Sequence, residues 1–146
     1  MLLTSPAFEE GGEIPKKYTC DGGDINPVLE IQNVPTEAKS LALILHDPDA
    51  PVEGGFTHWV VWNIKPSTMV IKDESVPPGS VEGRNGGGKT GYRGPCPPNG
   101  THHYHFQLYA LDEVLDLPAE SGADALLVEI EKHLIDTTEL TGLYGR

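Results

Sequence analysis

The side chains best suited to chemistry lie in three separate segments of the chain. Asp47 begins the segment Asp-Pro-Asp-Ala-Pro, His58 lies in Thr-His-Trp, and His102 and Tyr104 follow a Gly-Pro-Cys-Pro-Pro run. Imidazole and phenol groups can donate hydrogen bonds to an oxyanion, and a protonated imidazole adds positive charge. A carboxylate repels an anion, so the useful role for Asp47 is to accept a hydrogen bond from a histidine ring and orient it. If the three segments meet in the fold, these side chains could together bind an anion.

Each of these residues also has a purely structural explanation. An aspartate before a proline commonly forms a turn, and a histidine at a strand end is commonly a surface or core residue. Tyr104 is equally compatible with a core aromatic residue whose hydroxyl reaches the edge of the domain. Residue spacing alone does not show that the three segments meet, so both interpretations stay open at this point.

Alternation along the third segment divides its polar residues between two faces. A period of two over residues 102–109 predicts a strand, in which His102 and Tyr104 share one face while His103 and His105 share the other. His102 and Tyr104 can therefore act together at the mouth of this strand.

The surrounding elements are mostly short strands. Apolar and β-branched runs predict strands over residues 28–31, 41–45 and 58–64, and the uninterrupted run 41–45 is typical of a strand covered on both faces. Residues 66–100 show no extended helical or strand pattern. Leu126, Leu127, Ile130 and Leu134 recur at helical spacing, which predicts one helix capped by Ser121, followed by a last extended segment over residues 135–143.

Composition places these elements in one domain of the mainly β class. The chain has 146 residues, about the size of a single domain, so residues 1–146 are expected to form one unit. Its 17 Gly and 13 Pro residues indicate many turns between the apolar runs.

Charge and apolar patterning argue against several classes of partner. Acidic residues outnumber basic ones by 22 to 10, giving a net charge of −12 that repels nucleic acid and anionic membrane surfaces. No apolar run approaches the roughly 20 residues needed to span a bilayer, and the first residues do not resemble a signal peptide. We therefore expect a cytoplasmic protein without integral membrane association, with Cys20 and Cys96 reduced. No cofactor is indicated.

One segment matches a nucleotide-binding motif in residue types but lacks the flanking elements that the motif needs. Residues 83–90 match the pattern G-x-x-x-x-G-K-T. A true P-loop needs a buried strand before it and a helix beginning at its lysine. Prolines and glycines flank these residues on both sides, so we interpret the segment as a glycine-rich loop without nucleotide.

Taken in order, the three segments resemble those of the phosphatidylethanolamine-binding protein family, which includes the Raf kinase inhibitor protein. The quoted stretches are 47–51, 57–63 and 91–104, and the Gly-Pro-Cys-Pro-Pro run is similar to the bacterial and archaeal branch. The resemblance implies an antiparallel β-sandwich, with a large central sheet, a smaller sheet and a few peripheral helices, one near the C-terminus. It also implies a small pocket at the end of the sheet for phosphate-like or carboxylate-like anions.

By motif position, the resemblance assigns six residues to that pocket. They are Asp47, His58, Cys96, Pro97, His102 and Tyr104, with Cys96 and Pro97 on a loop that offers a backbone N–H. The implied ligand is an anionic small molecule such as phosphate or a phosphoethanolamine-like group. Relatives also inhibit proteases or kinases and can form homodimers, so these partners are included in the hypothesis.

Two alternatives to anion binding remain. The chain could inhibit a protease or kinase by direct contact, although no segment marks a reactive loop. It could also be an enzyme, because Asp47, His58 and His102 resemble a two-histidine-one-carboxylate metal site. The spacing of these residues does not match a metal motif, and Cys96 has only His102 as a base nearby in sequence. We therefore favour a binding protein that is not an enzyme and holds no metal.

Overall fold

Eight strands, one α-helix and one 3-10 turn make up the computed structural model, which describes residues 1–146. In chain order they are β1 (Leu2–Thr4), the 3-10 turn (Lys16–Tyr18), β2 (Leu29–Gln32), β3 (Ser40–Asp47), β4 (Phe56–Ile64), β5 (Val70–Ile71), β6 (Val81–Glu82), β7 (Thr101–Leu111), α1 (Ala123–His133) and β8 (Leu134–Gly145). No helix is long and apolar enough to cross a membrane.

The strands form two antiparallel sheets, as expected for a β-sandwich. The large sheet has the order β6-β4-β3-β7-β8 and the small sheet has the order β1-β2-β5. Apolar side chains from both sheets interdigitate between them, including Leu29 and Ile31 from the small sheet and Leu43, Trp59 and Phe106 from the large one. This layer is the main hydrophobic core.

The outer face of the large sheet carries a second, smaller core. Ala42, Ile44 and Trp62 point to this side, where Leu126 and Ile130 of α1 cover them. Strand β3 is therefore buried on both faces, and only His46 among its residues is not fully buried. The prediction drawn from its continuous apolar run is confirmed.

The predicted elements differ from the observed ones mainly at their ends. Strand β2 begins one residue later than predicted, and α1 has Gly122 rather than Ser121 at its N-cap position. The helix ends at His133, so Leu134 begins β8 instead of continuing the helix. Strands β1, β5 and β6 have only two or three residues, too few for a periodic pattern to reveal them.

The glycine-rich loop at residues 83–90 is a closed turn and not a phosphate cradle. Arg84 and Thr90 pair as an antiparallel bridge, and the Asn85 N–H donates to the Lys89 carbonyl oxygen at 2.8 Å. No helix follows. The first glycine of the motif, Gly83, lies against the Trp62 ring and the Ser121 carbonyl oxygen, where a Cβ atom would not fit. Close packing explains this glycine without a nucleotide.

Replacing Gly83 tests this packing explanation. The added methyl group of Gly83→Ala would meet the Trp62 ring and lie 2.6 Å from the Ser121 carbonyl oxygen. We expect the free energy of unfolding in urea to fall by about 1–3 kcal/mol, as for other overpacked sites. The control is Gly23→Ala, whose Cβ has Lys17 O at 3.3 Å as its nearest atom. Equal stability of the two variants would contradict the explanation.

Candidate functional site

Strand pairing brings the three chemistry-bearing segments to one end of the large sheet. Strand β3 is antiparallel to both β4 and β7, so its last residue, Asp47, pairs with Phe56 at the start of β4 and lies near the start of β7. His58 is near the start of β4, and His102 and Tyr104 are near the start of β7. The four side chains predicted to form a site therefore lie together in the fold.

A β-bulge sets the direction of His58. Leu45 pairs with Trp59, whereas the next residue, His46, pairs with Thr57, which leaves His58 as the extra residue in β4. Simple alternation from inward-facing Trp59 would turn His58 to the outer face. The bulge instead leaves it on the side of Asp47, where it lines the same pocket.

The pocket at this end of the sheet has a volume of about 180 Å³. That is below the roughly 300–1,000 Å³ of sites for drug-sized ligands, so it suits a small chemical group. All six residues assigned from the resemblance line it, namely Asp47, His58, Cys96, Pro97, His102 and Tyr104. The other lining residues are Ala50, Pro51, Val52, Phe56, Arg93 and Pro98.

Asp47 orients His102, as the residue types suggested. The Nδ1 atom of His102 lies 2.7 Å from Oδ2 of Asp47, and both side chains are buried. The other carboxylate oxygen accepts the N–H of Asp49 at 2.8 Å and closes the turn after β3. Because the carboxylate accepts the ring N–H, Nδ1 of His102 carries the proton and only Nε2 remains for a ligand.

His58 is held in the same tautomer by the backbone. Its Nδ1 atom donates to the carbonyl oxygen of Arg93 at 2.6 Å, and a carbonyl oxygen can only accept. Burial lowers the pKa of His58 below its ordinary value. The hydrogen bond to Arg93 and the charge of Asp47 oppose this shift, while the positive charge of Arg93 adds to it. The ring is therefore neutral near pH 7 and offers Nε2 as an acceptor.

Tyr104 provides a buried hydroxyl group that donates to no acceptor of the protein. Its ring packs edge-on against His58, with centroids 5.4 Å apart, and is stacked with His102 at 6.3 Å. Desolvation raises the pKa of Tyr104 well above its usual value, and the nearby Asp47 raises it further, whereas the backbone N–H of Cys96 opposes the shift. The hydroxyl therefore keeps its proton and is available as a donor.

Arg93 is a pocket residue that the sequence analysis missed. Its exposed guanidinium lies over the Phe56 ring, 5.3 Å from the centroid. A Cβ atom built at Gly87 would lie 2.7 Å from its Nη1 atom, so the glycine-rich loop makes room for this side chain. The available signal was a basic residue within the 91–104 segment of a chain with few basic residues.

His103 and His105 lie on the outer face, as alternation predicted. The Nδ1 atom of His103 is 2.7 Å from the Asp49 carboxylate, and His105 contacts Glu139 and Thr141. Neither histidine lines the pocket. The separation of His102 and Tyr104 from these two residues is confirmed.

The expectation that the two cysteines are reduced is wrong for this structure. Cys20 and Cys96 form a disulfide, with Cα atoms 5.5 Å apart and a separation of 76 positions in sequence. The expectation rested only on the absence of an export signal, and sequence spacing does not show that two distant cysteines lie close together in the fold. Cys96 is therefore a crosslinked part of the pocket wall, not a free thiol nucleophile.

The metal-site alternative finds no matching geometry. Asp47 uses its two oxygens for His102 and the backbone of Asp49. No group of three or more His, Cys, Asp or Glu side chains is placed to hold a metal ion.

Comparisons with known proteins agree on one family. The family model described as phosphatidylethanolamine-binding protein matches residues 4–145. A UPF0098 protein of Methanothermobacter thermautotrophicus is 48% identical, over 100% of this chain and 99% of the relative. Another, from Archaeoglobus fulgidus, is 47% identical, and the match covers 99% of this chain but 51% of that longer relative.

Two solved structures have the same architecture. The phosphatidylethanolamine-binding protein homologue CT736 of Chlamydia trachomatis superposes with a TM-score of 0.94 at 42% identity, covering 99% of this chain and 96% of the other. E. coli YbcL, described as a member of the mammalian PEBP family, gives a TM-score of 0.93 at 31% identity, covering 99% and 97%. With the family match over nearly its whole length, this chain belongs to the phosphatidylethanolamine-binding protein family.

Proposed function

We propose that the pocket binds a small anion, such as phosphate or the phosphorylated headgroup of a phosphoethanolamine-like molecule. The observation that carries the proposal is the Tyr104 hydroxyl, which is buried, protonated and without an acceptor for its proton beside two imidazole rings. An unsatisfied buried hydroxyl costs about 1–3 kcal/mol, so its retention at a pocket favours a ligand that accepts its proton.

The positive charge for an anion comes from Arg93 and from proton uptake. Both Nδ1–H groups are already used, by Asp47 for His102 and by a backbone carbonyl for His58. With Nδ1 used in this way, only Nε2 of each ring faces a ligand, and an Nε2 atom without a proton repels an anion. A bound anion stabilises an imidazolium, so binding is expected to draw in a proton.

The pocket dimensions favour a small anionic group over a whole lipid molecule as the ligand. A volume of about 180 Å³ accommodates a compact anion near His58, His102 and Tyr104. Val52 and Phe56 form an apolar part of the lining, which suits the remainder of an organic phosphate. Phosphate alone is therefore the simplest probe of the site.

The other functional expectations remain predictions. They are inhibition of a protease or kinase, homodimer formation, the absence of catalysis and cofactors, the absence of a nucleic-acid partner, and a cytoplasmic location. The Cys20–Cys96 disulfide argues against the cytoplasmic location, because disulfides persist mainly in oxidising compartments.

Tyr104→Phe separates binding from folding. Removing a buried hydroxyl that donates to no protein atom should leave the free energy of unfolding nearly unchanged, since no donated hydrogen bond is lost. Phosphate affinity, measured by calorimetric titration, should fall by about tenfold because the donor is gone. Tyr109→Phe is the matched control, because its hydroxyl contacts Gln107 on the outer face. Unchanged affinity in Tyr104→Phe would contradict the proposal.

Anion affinity should rise as the pH falls below about 6.5, the ordinary histidine value. Because the His58 pKa is lowered in the free protein and raised by a bound anion, the affinity should increase by roughly tenfold between about pH 7.5 and about pH 5.5. Sulfate, which does not titrate in this range, should show the same trend as phosphate in calorimetric titrations.

Two variants identify the residue whose protonation causes this pH dependence. His58→Gln should flatten the dependence, whereas His105→Gln, on the same sheet but on the outer face, should retain it. A trend seen with phosphate and not with sulfate would assign the proton to the ligand and contradict the role given to the histidines.

A further inference from the structure

The Cys20–Cys96 disulfide links residues 96–98, which form one wall of the candidate pocket, to a separate part of the chain. Cys20 follows the 3-10 turn at Lys16–Tyr18, and Cys96 lines the pocket with Pro97. We propose that this disulfide is a redox site at which a dithiol reductant releases the wall and weakens anion binding. This inference rests on the proposed function and adds to it a way in which binding is controlled.

The two sulfur atoms differ in the way that thiol–disulfide exchange requires. Cys96 is exposed, so a thiolate can approach its Sγ atom, whereas Cys20 is half-buried. The Nη2 atom of Arg146 lies 3.5 Å from Sγ of Cys20. A guanidinium at this position stabilises negative charge on the sulfur that leaves.

One carboxylate, that of Asp21, also lies near Cys20. Asp21 is hydrogen-bonded to Arg146 and to the Tyr144 hydroxyl, which lower the pKa of Asp21 to about 2. Oδ1 of Asp21 is 4.0 Å from Sγ of Cys20, farther than the guanidinium. The nearest charge to a Cys20 thiolate is therefore positive.

The exchange follows ordinary two-electron chemistry. A thiolate of the reductant attacks Sγ of Cys96, the Cys20–Cys96 bond breaks, and its electron pair leaves on the Cys20 sulfur as a thiolate. The second thiol of the reductant, once deprotonated, attacks the mixed disulfide and releases Cys96 as a thiolate. The reductant ends as a disulfide, and its two protons pass through solvent to the two cysteine thiolates.

The hydrogen bonds on either side of residues 96–99 predict that reduction of the disulfide loosens only this segment. On one side, the Cys20 N–H donates to the Pro95 carbonyl oxygen at 3.1 Å, and the Gly94 N–H donates to Oδ1 of Asp24 at 2.7 Å. On the other side, Gly100 and Arg146 exchange two backbone hydrogen bonds. These contacts hold both ends of the segment when the disulfide is cut.

Between those ends, residues 96–99 make few hydrogen bonds, and Pro97 is the only one of them that is buried. Arg146 donates to the Pro97 carbonyl oxygen at 3.4 Å, a long hydrogen bond from an exposed side chain. The backbone N–H of Cys96 opposes the rise of the Tyr104 pKa, so this segment also lies beside the hydroxyl that is proposed to donate to the ligand. Loosening this segment disturbs the surroundings of the Tyr104 hydroxyl and the apolar wall formed by Pro97 and Pro98.

The test compares phosphate binding to the oxidised protein and to the protein reduced with dithiothreitol. If the competent wall is populated about one tenth of the time after reduction, the apparent affinity falls about tenfold. The Cys20→Ser/Cys96→Ser double variant should bind like the reduced protein and should not respond to dithiothreitol. Hydrogen exchange should speed up in the backbone amides of Cys96 and Asn99 and stay slow in β3 and β7.

A second measurement addresses the role of Arg146 in the exchange. Arg146→Gln should be reduced by dithiothreitol several-fold more slowly, because the leaving Cys20 thiolate loses its cation. Lys17→Gln is the matched control, since Lys17 is close in sequence but pairs with Asp73. Equal reduction rates in Arg146→Gln and the unmodified protein would contradict the assigned direction of attack.

The outcomes of the binding test are distinguishable. Equal phosphate affinity in the oxidised and reduced forms overturns this inference and leaves the proposed function standing. Loss of the near-ultraviolet circular dichroism signal on reduction also overturns it, because the disulfide would then be a staple for the whole fold. Failure of the oxidised protein to bind phosphate overturns the proposed function and this inference with it.

Discussion

The pairing of β3 with β4 and β7 is the constraint on which the candidate site depends. Strand β3 lies at the centre of the large sheet and runs antiparallel to both neighbours. Its burial on both faces fixes its register, because a slip of one residue would exchange its two apolar sets. Asp47 is thereby held at the sheet end where β4 and β7 begin. The bulge at His58 completes the arrangement by turning that ring toward Asp47.

The interior of the pocket departs from the packing rules that the rest of the sheet obeys. Asp47 is a buried carboxylate satisfied by His102 and the Asp49 N–H, and the buried Tyr104 hydroxyl has no acceptor for its proton. A core built only for stability would have phenylalanine at this position, as the adjacent Phe106 illustrates. Such local departures are expected where a structure is arranged for a ligand. The net charge of −12 makes the arrangement more demanding, since an anion must be held against the field of the whole protein.

Much of the fold was predictable because its main strands have strong patterns. The continuous apolar run of β3 and the alternation in β7 were sufficient to predict both strands and to separate His102 and Tyr104 from His103 and His105. The short strands β1, β5 and β6 have too few residues to show a period. The convergence of Asp47, His58 and His102 was implied by the family resemblance and not by spacing, because it depends on pairing between distant segments.

Two features of the site have no local sequence signal. The disulfide joins residues 76 positions apart, and their proximity follows from the path of two loops. The orientation of His58 depends on one extra residue in β4 relative to β3, which alternation within β4 alone does not show. Arg93 was missed for a different reason, since its position in the pocket depends on space left by Gly87 and on the ring of Phe56.

A crystal structure of the oxidised protein with phosphate bound at mildly acidic pH tests the central claim most directly. The account predicts a phosphate ion in the pocket, with one oxygen accepting from the Tyr104 hydroxyl and others within about 3 Å of Nε2 of His58 and His102. A pocket that holds only water at saturating phosphate concentration, with the Tyr104 hydroxyl bonded to that water, would contradict it.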